Sequence, residues 1–219
     1  MKTGKLIVGV LLLCVAVGSA YGGIPTYTPR QQVQGLVAFL KEKLSKSDGS
    51  EAAAREVMKT AIHKHMDMQE IAKRSIGYYW SDLGERQKEY VSLMTRYFIR
   101  IAAKHAHRIA ESEFIYGEEA AGVERARVDI IMKKKGGLHT RQSEVSVRLH
   151  LADNEWRIRD VIFDGISIIS TINSQFFSML RRLMKERGEL YVTTGTLDAL
   201  LAKIREKAEA PADAPVVQK

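Results

Sequence analysis

The chain has 219 residues, 45% of them hydrophobic and 27% charged, with 4 prolines. That composition excludes a fibrous, wholly disordered or polytopic membrane protein. Thirty-four Lys and Arg against 26 Asp and Glu leave a net charge of +8, which suits anionic membranes, acidic proteins or nucleic acid without choosing among them.

The N-terminus narrows that choice. Lys2 and Lys5 precede an apolar run from Leu6 to Val17, followed by Gly18, Ser19 and Ala20, the layout of a cleavable secretory signal. The run is well short of the roughly 20 residues that span a bilayer, so residues 1–20 read as a signal peptide removed after Ala20. Export makes nucleic acid a poor partner. The one cysteine, Cys14, falls inside this signal behind Leu13 rather than a small residue, which argues against lipid attachment and leaves the exported chain without thiol chemistry.

Residues 21–29 read as an extended leader, and 30–207 as one domain, divided into a helical part (30–112), a sheet (113–164) and C-terminal helices (165–207). Val33, Leu36, Val37, Leu40 and Leu44 mark one face of a first helix, and Ser50 caps a second through Ala54, Met58 and Ile62. Asp67 and Glu70 have capping-box spacing, with Gly77 placed to stop a short third helix. A long helix is expected from about Glu85 to Ala110. Its stripe includes Tyr90, Met94, Tyr97 and Phe98, with Arg86, Lys88, Arg96, Arg100 and Lys104 opposite.

The period then changes to two. Ala126, Val128, Ile130 and Met132 form one alternating strand, and Val145, Val147, Leu149 and Leu151 another. Phe114–Glu118 is a weaker strand, and loops at Lys133–Gly137 and Ala152–Glu155 join neighbours in an antiparallel meander. From Trp156 to Asp164 the alternation breaks parity between Ile158 and Val161, which predicts a bulge near Asp160 or cover on both faces. A helix after Gly165 carries Ile168, Ile169, Ile172, Phe176, Leu180 and Leu183, and a last one carries Leu197, Leu200, Leu201 and Ile204. Residues 208–219 read as a disordered tail.

Catalytic chemistry is hard to find. Gly165-Ile166-Ser167 lacks the second glycine of a nucleophile elbow, so Ser167 reads as a helix cap. The pairs His63/His65 and His105/His107 diverge on a helix, so no metal site is expected. Asp160 and Asp164 share one strand parity and could act as an acid/base pair, but anchoring a bulge and ending a strand explain them better. The lysines at 133–135 read as a solvated hairpin tip. What stands out is apolar excess on helices that would wall a cavity over an apolar sheet face.

Two ordered blocks resemble the MlaC, or toluene-tolerance Ttg2, family. One is Asp67-Met68-Gln69-Glu70-Ile71-Ala72 with Gly77, Trp80, Leu83, Gln87 and Tyr90; the other is Trp156-Arg157-Ile158-Arg159-Asp160-Val161-Ile162-Phe163-Asp164-Gly165-Ile166-Ser167, followed by Ser174-Gln175-Phe176. The family's arginine before Ser-Gln-Phe is Asn173 here, and the link from Arg181 to Leu197 is longer. The resemblance implies an α+β fold, with an antiparallel sheet of about four strands, nuclear transport factor 2-like, packed with a helical subdomain around an apolar cavity.

It further implies a periplasmic carrier, not an enzyme, that holds phospholipid acyl chains and serves outer-membrane lipid asymmetry. Its partners would be an inner-membrane MCE-domain complex of an ABC transporter and an outer-membrane lipoprotein complex. No cofactor or metal is expected. A hopanoid-type cargo, or a small enzyme on the same sheet with Asp160 or Asp164 as base, are the alternatives. The expected cavity wall comprises Val128, Ile130, Val145, Val147, Leu149 and Ile158 from the sheet, and Tyr90, Met94, Tyr97, Phe98, Ile169, Ile172, Phe176 and Leu180 from the helices; Trp80 and Trp156 are expected as core anchors.

Overall fold

The structure, a computed structural model, describes residues 25–134 and 142–210. The expected signal peptide, Lys135 with the loop glycines, and the expected tail from 211 onward lie outside the described residues.

Local chemistry sets the helix starts. In α1 (Pro29–Ser45), Thr28 and Gln31 form a reciprocal capping box with Pro29 at the first helical position. Ser50 caps α2 (Glu51–His65) and Asp67 caps α3 (Met68–Ile76), each accepting from the backbone N–H three residues on. Gly77 ends α3 at φ 62°, a conformation that favours glycine. A 3-10 stretch, Gly77–Arg86, leads into α4 (Gln87–Lys104).

The expected helix over Glu85–Ala110 is two elements. It breaks at His105, and α5 (Ala106–Glu111) follows. Neither glycine nor proline marks this break. Arg100 also departs from expectation: it is buried, its guanidinium donating to the Lys207 carbonyl at 2.7 Å, so α4 is covered on the side read as solvated. After the sheet, α6 (Ile168–Arg187) starts at the Ser167 cap and stops at Gly188. The last helix, α7 (Thr194–Glu209), carries on past 207: Ala208 is buried and Glu209 pairs with Arg96.

The sheet holds β1 (Ser112–Ala121), β2 (Arg125–Lys134), β3 (Gln142–Ala152), β4 (Glu155–Phe163) and a short β5 (Ile166–Ser167), in sequence order and antiparallel throughout. The parity break in β4 is a bulge, since Arg148 pairs with Asp160 but Leu149 pairs with Ile158, leaving Arg159 extra. The bulge lets Ile158 and Val161 face the same side and throws Asp160 to the other.

Two apolar cores result. One lies among the helices, with α4 packed on α2 and α7 and α6 on α3 and α7. The other lies on one face of the sheet, covered by α1 through Val33. α4 was expected over the sheet, but its principal neighbours are helices, and α1 takes that place. Among the described residues no helix is long and apolar enough to cross a membrane.

Candidate functional site

The sheet's buried face is built from cross-strand rows. Val128 faces Val147, which faces Val161; Ile130 faces Val145 and then Phe163; Ala126 faces Leu149 and then Ile158. Direct cross-strand packing of apolar side chains stabilises each row, and the Val128–Val147–Val161 row is β-branched throughout. Val128 and Leu149 have no exposed surface, and Ile130, Val147 and Ile158 are also buried, with Val145 at the margin. The opposite face is polar, where Ser146 Oγ donates to Asp129 and Arg127 pairs with Asp129 and Glu118.

The eight helical residues expected in the wall fall together in the other core. Tyr90 is fully buried, its hydroxyl 2.7 Å from Ser75 Oγ and its ring edge-on to Phe176 at 6.3 Å. Burial pushes the Tyr90 phenol well above its ordinary range and raises that of Tyr97, against the charge of Arg100. Trp156 is buried in the sheet core, while Trp80 is half-buried against Tyr90.

The fourteen residues are therefore divided, six on the sheet and eight among the helices. Leu36 of α1 and Met66, which follows α2, are partly buried and pack against both cores. Met66 also bridges to Ile158, and the Asp67 N–H donates to the Ile158 carbonyl at 2.9 Å. Neither Val33 nor Met66 was expected at the site. Val33 and Leu36 were visible as a helical stripe, but a stripe does not name the surface it meets.

Among the described residues two crevices, each about 300 Å³, are lined largely by polar groups: one by Thr26, Gln32, His63, Lys64, Glu155 and Arg157 among others, the second by Arg74, Ile169, Ser170, Asn173 and Ser174. Binding pockets for apolar ligands are typically about 300–1,000 Å³ and mostly apolar. Of the expected wall residues only Ile169 lines either crevice, and Leu36 and Met66 lie at the seam of the two apolar cores.

The two aspartates do not form an acid/base pair. Asp160 is buried, accepts from Ser167 Oγ at 2.8 Å and the Ile169 N–H at 3.4 Å, and lies 3.6 Å from Arg148. Asp164 lies beyond β4 at φ 48° and accepts from the Glu144 N–H at 2.8 Å. Each caps backbone. No cluster of three potential metal ligands occurs among the described residues.

A meander sheet with one apolar face under α1, joined to a second, helical apolar core, defines a two-core α+β architecture. The MlaC protein family model matches residues 30–186, and the chain belongs to that family. A solved phospholipid-binding protein from Ralstonia solanacearum, in complex with a phospholipid, superposes with a TM-score of 0.63 at 17% identity, over 82% of this chain and 95% of that one. At that identity the likeness speaks for the fold. No curated protein matches the sequence.

Proposed function

We propose that the protein is a periplasmic phospholipid carrier that shelters acyl chains between its two apolar cores. In this reading it moves lipid between an inner-membrane MCE-domain transporter complex and an outer-membrane lipoprotein complex. The observation that carries the reading is the seam. Family membership supplies the ligand class, and two apolar cores meeting at half-buried Leu36 and Met66 supply an interior that can part. The phospholipid bound by the Ralstonia solanacearum protein is consistent with this.

The energetics explain the need. A buried methylene is worth about 0.8 kcal/mol, so a sixteen-carbon chain in water costs on the order of 12 kcal/mol. An interior of Val, Ile, Leu, Met and Phe removes that cost. Because the two cores pack against each other at Leu36 and Met66, parting them returns some of the gain on loading as lost protein–protein packing. Exchange with a bilayer then stays near balance, which a carrier requires for release. The excess of Lys and Arg suits docking to acidic partner surfaces.

Native mass spectrometry of protein purified from a bacterial host is expected to show a co-purified phospholipid of one or two acyl chains. An apo mass, with no uptake from phosphatidylglycerol vesicles, would overturn the reading. The backbone contacts of Asp160 and Asp164 speak against either as the base of an enzyme on this sheet.

A further inference from the structure

Three aromatic rings cluster where the helical core reaches the surface. Tyr78 and Tyr79, which follow Gly77 in the 3-10 stretch, have ring centroids 4.2 Å apart, and Phe177 of α6 lies 5.1 Å from the first and 5.6 Å from the second. Tyr78 is 68% exposed, while Tyr79 and Phe177 are half-buried. Contiguous apolar surface of this kind marks an interaction site more often than a single exposed ring does.

A second apolar feature stands at the far end of the same helix. Past Gly188, on the link to α7, Leu190 is 94% exposed and Tyr191 73%. Phe177, Arg181, Met184 and Gly188 succeed one another at helical spacing and so run down one face of α6. The ring cluster and the tip formed by Leu190 and Tyr191 therefore lie at the two ends of that face, about 16 Å of helix apart.

Cations line the interval. Arg182 pairs with Glu186 at 3.7 Å and Arg187 with Glu189 at 2.8 Å. Arg181, which donates to Ser178 Oγ at 3.1 Å, and Lys185 make no ion pair among the described residues. Against them stands Asp82, whose charge acts on the Tyr79 phenol. Side chains as exposed as Leu190 and Tyr191 project from their neighbours, and a folded partner would need a matching hollow for each. A bilayer interface needs none, because it is fluid. Tyrosine favours the headgroup boundary, leucine reaches below it, and unpaired cations meet anionic lipid phosphates.

We infer that this face of α6 docks reversibly on a membrane containing anionic lipid, with Tyr78, Leu190 and Tyr191 in the headgroup boundary and Arg181 and Lys185 over lipid phosphates. None of these five residues belongs to the expected cavity wall, so the docking does not rest on the carrier reading.

Sedimentation with sucrose-loaded vesicles tests it. The exported chain is expected to pellet with vesicles of equal parts phosphatidylglycerol and phosphatidylcholine, and to stay in solution with phosphatidylcholine alone. Leu190→Ser/Tyr191→Ser should weaken partitioning about tenfold, the loss of the inserted apolar surface. Arg181→Gln/Lys185→Gln should weaken it about tenfold at low salt, and the difference from wild type should shrink as salt rises. All four side chains are exposed, so both variants are expected to melt as wild type does and to keep any co-purified phospholipid; their lost membrane response is then neither a folding defect nor a failure of the seam.

Partitioning is read whether or not phospholipid co-purifies, so the carrier reading can fail while the docking stands. Wild-type protein that ignores the anionic vesicles would overturn the docking, as would binding that neither double variant weakens. A dimer in equilibrium sedimentation that Leu190→Ser/Tyr191→Ser dissolves, with no vesicle binding, would overturn it too and give the face to a second copy of the chain.

Discussion

At the scale of single residues, His65 shows how burial converts a surface-type side chain into a pH-dependent liability. It closes α2, is buried, and has Nδ1 3.2 Å from the Gln32 amide, which places the ring proton on Nε2, without a partner among the described residues. Burial pushes its pKa down to about 4, assisted by the charges of Lys64 and Arg157 and opposed by Glu155. Unfolded, the same ring titrates near 6.5. Protons therefore bind the unfolded chain first as pH falls, so stability drops from about pH 6.5 and the loss is complete near pH 4. Urea unfolding is expected to show roughly 2 kcal/mol less stability at pH 5 than at pH 7.5 from this group, and His65→Gln should remove most of that slope. An unchanged slope in the variant would assign the loss to other groups.

Asp160 makes the complementary point about legibility. Its parity with Asp164 left catalysis and bulge anchoring both open in the sequence. The bulge at Arg159 decides between them, because it turns Asp160 into the start of α6, where Ser167 and the Ile169 N–H take its oxygens.

At the scale of elements, α1 is the part that must move if lipid is to reach the sheet. It is held to the edge strand by polar ties: Arg30 donates to the Gly117 carbonyl at 2.6 Å and pairs with Glu119 at 3.4 Å, and Lys41 donates to the Ser112 carbonyl at 3.0 Å. Each tie is worth about 0.5–1.5 kcal/mol. The double variant Arg30→Ala/Lys41→Ala is thus expected to keep its fold, whose cores are untouched, and to release a fluorescent phospholipid roughly fivefold faster or more. Stopped-flow transfer to acceptor vesicles reads this directly, and an unchanged rate would mean that α1 stays seated during release.

The same helix marks where reading the sequence stops. Starts at Ser50, Asp67 and Ser167, the stop at Gly77 and the alternation of β2 and β3 are local, settled by a few neighbouring residues, and all appear in the structure. Which amphipathic helix covers the sheet is not local. The stripes of α1 and α4 are both apolar enough, and the choice falls on α1 because α4 is enclosed by α2, α3 and α7. The break at His105 was equally invisible, with no proline or glycine to announce it.

At the scale of the whole molecule, the carrier reading asks that the two cores separate where they are joined least firmly. Among the described residues Leu36 and Met66 pack against both cores, and neither is fully buried. A wider side chain at Leu36 can therefore turn partly toward solvent without breaking either core, while its bulk occupies the opening an acyl chain would need. Leu36→Trp is expected to remain folded, within about 1 kcal/mol of wild type by urea unfolding, and to carry at least about fivefold less phospholipid after purification. Deep truncations such as Leu149→Ala act differently: they cost about 2–5 kcal/mol by leaving a cavity in the sheet core, so their effect on lipid is confounded with stability. If Leu36→Trp loads phospholipid as wild type does, the chains enter through one core alone, and the division of the wall between sheet and helices has no bearing on transport.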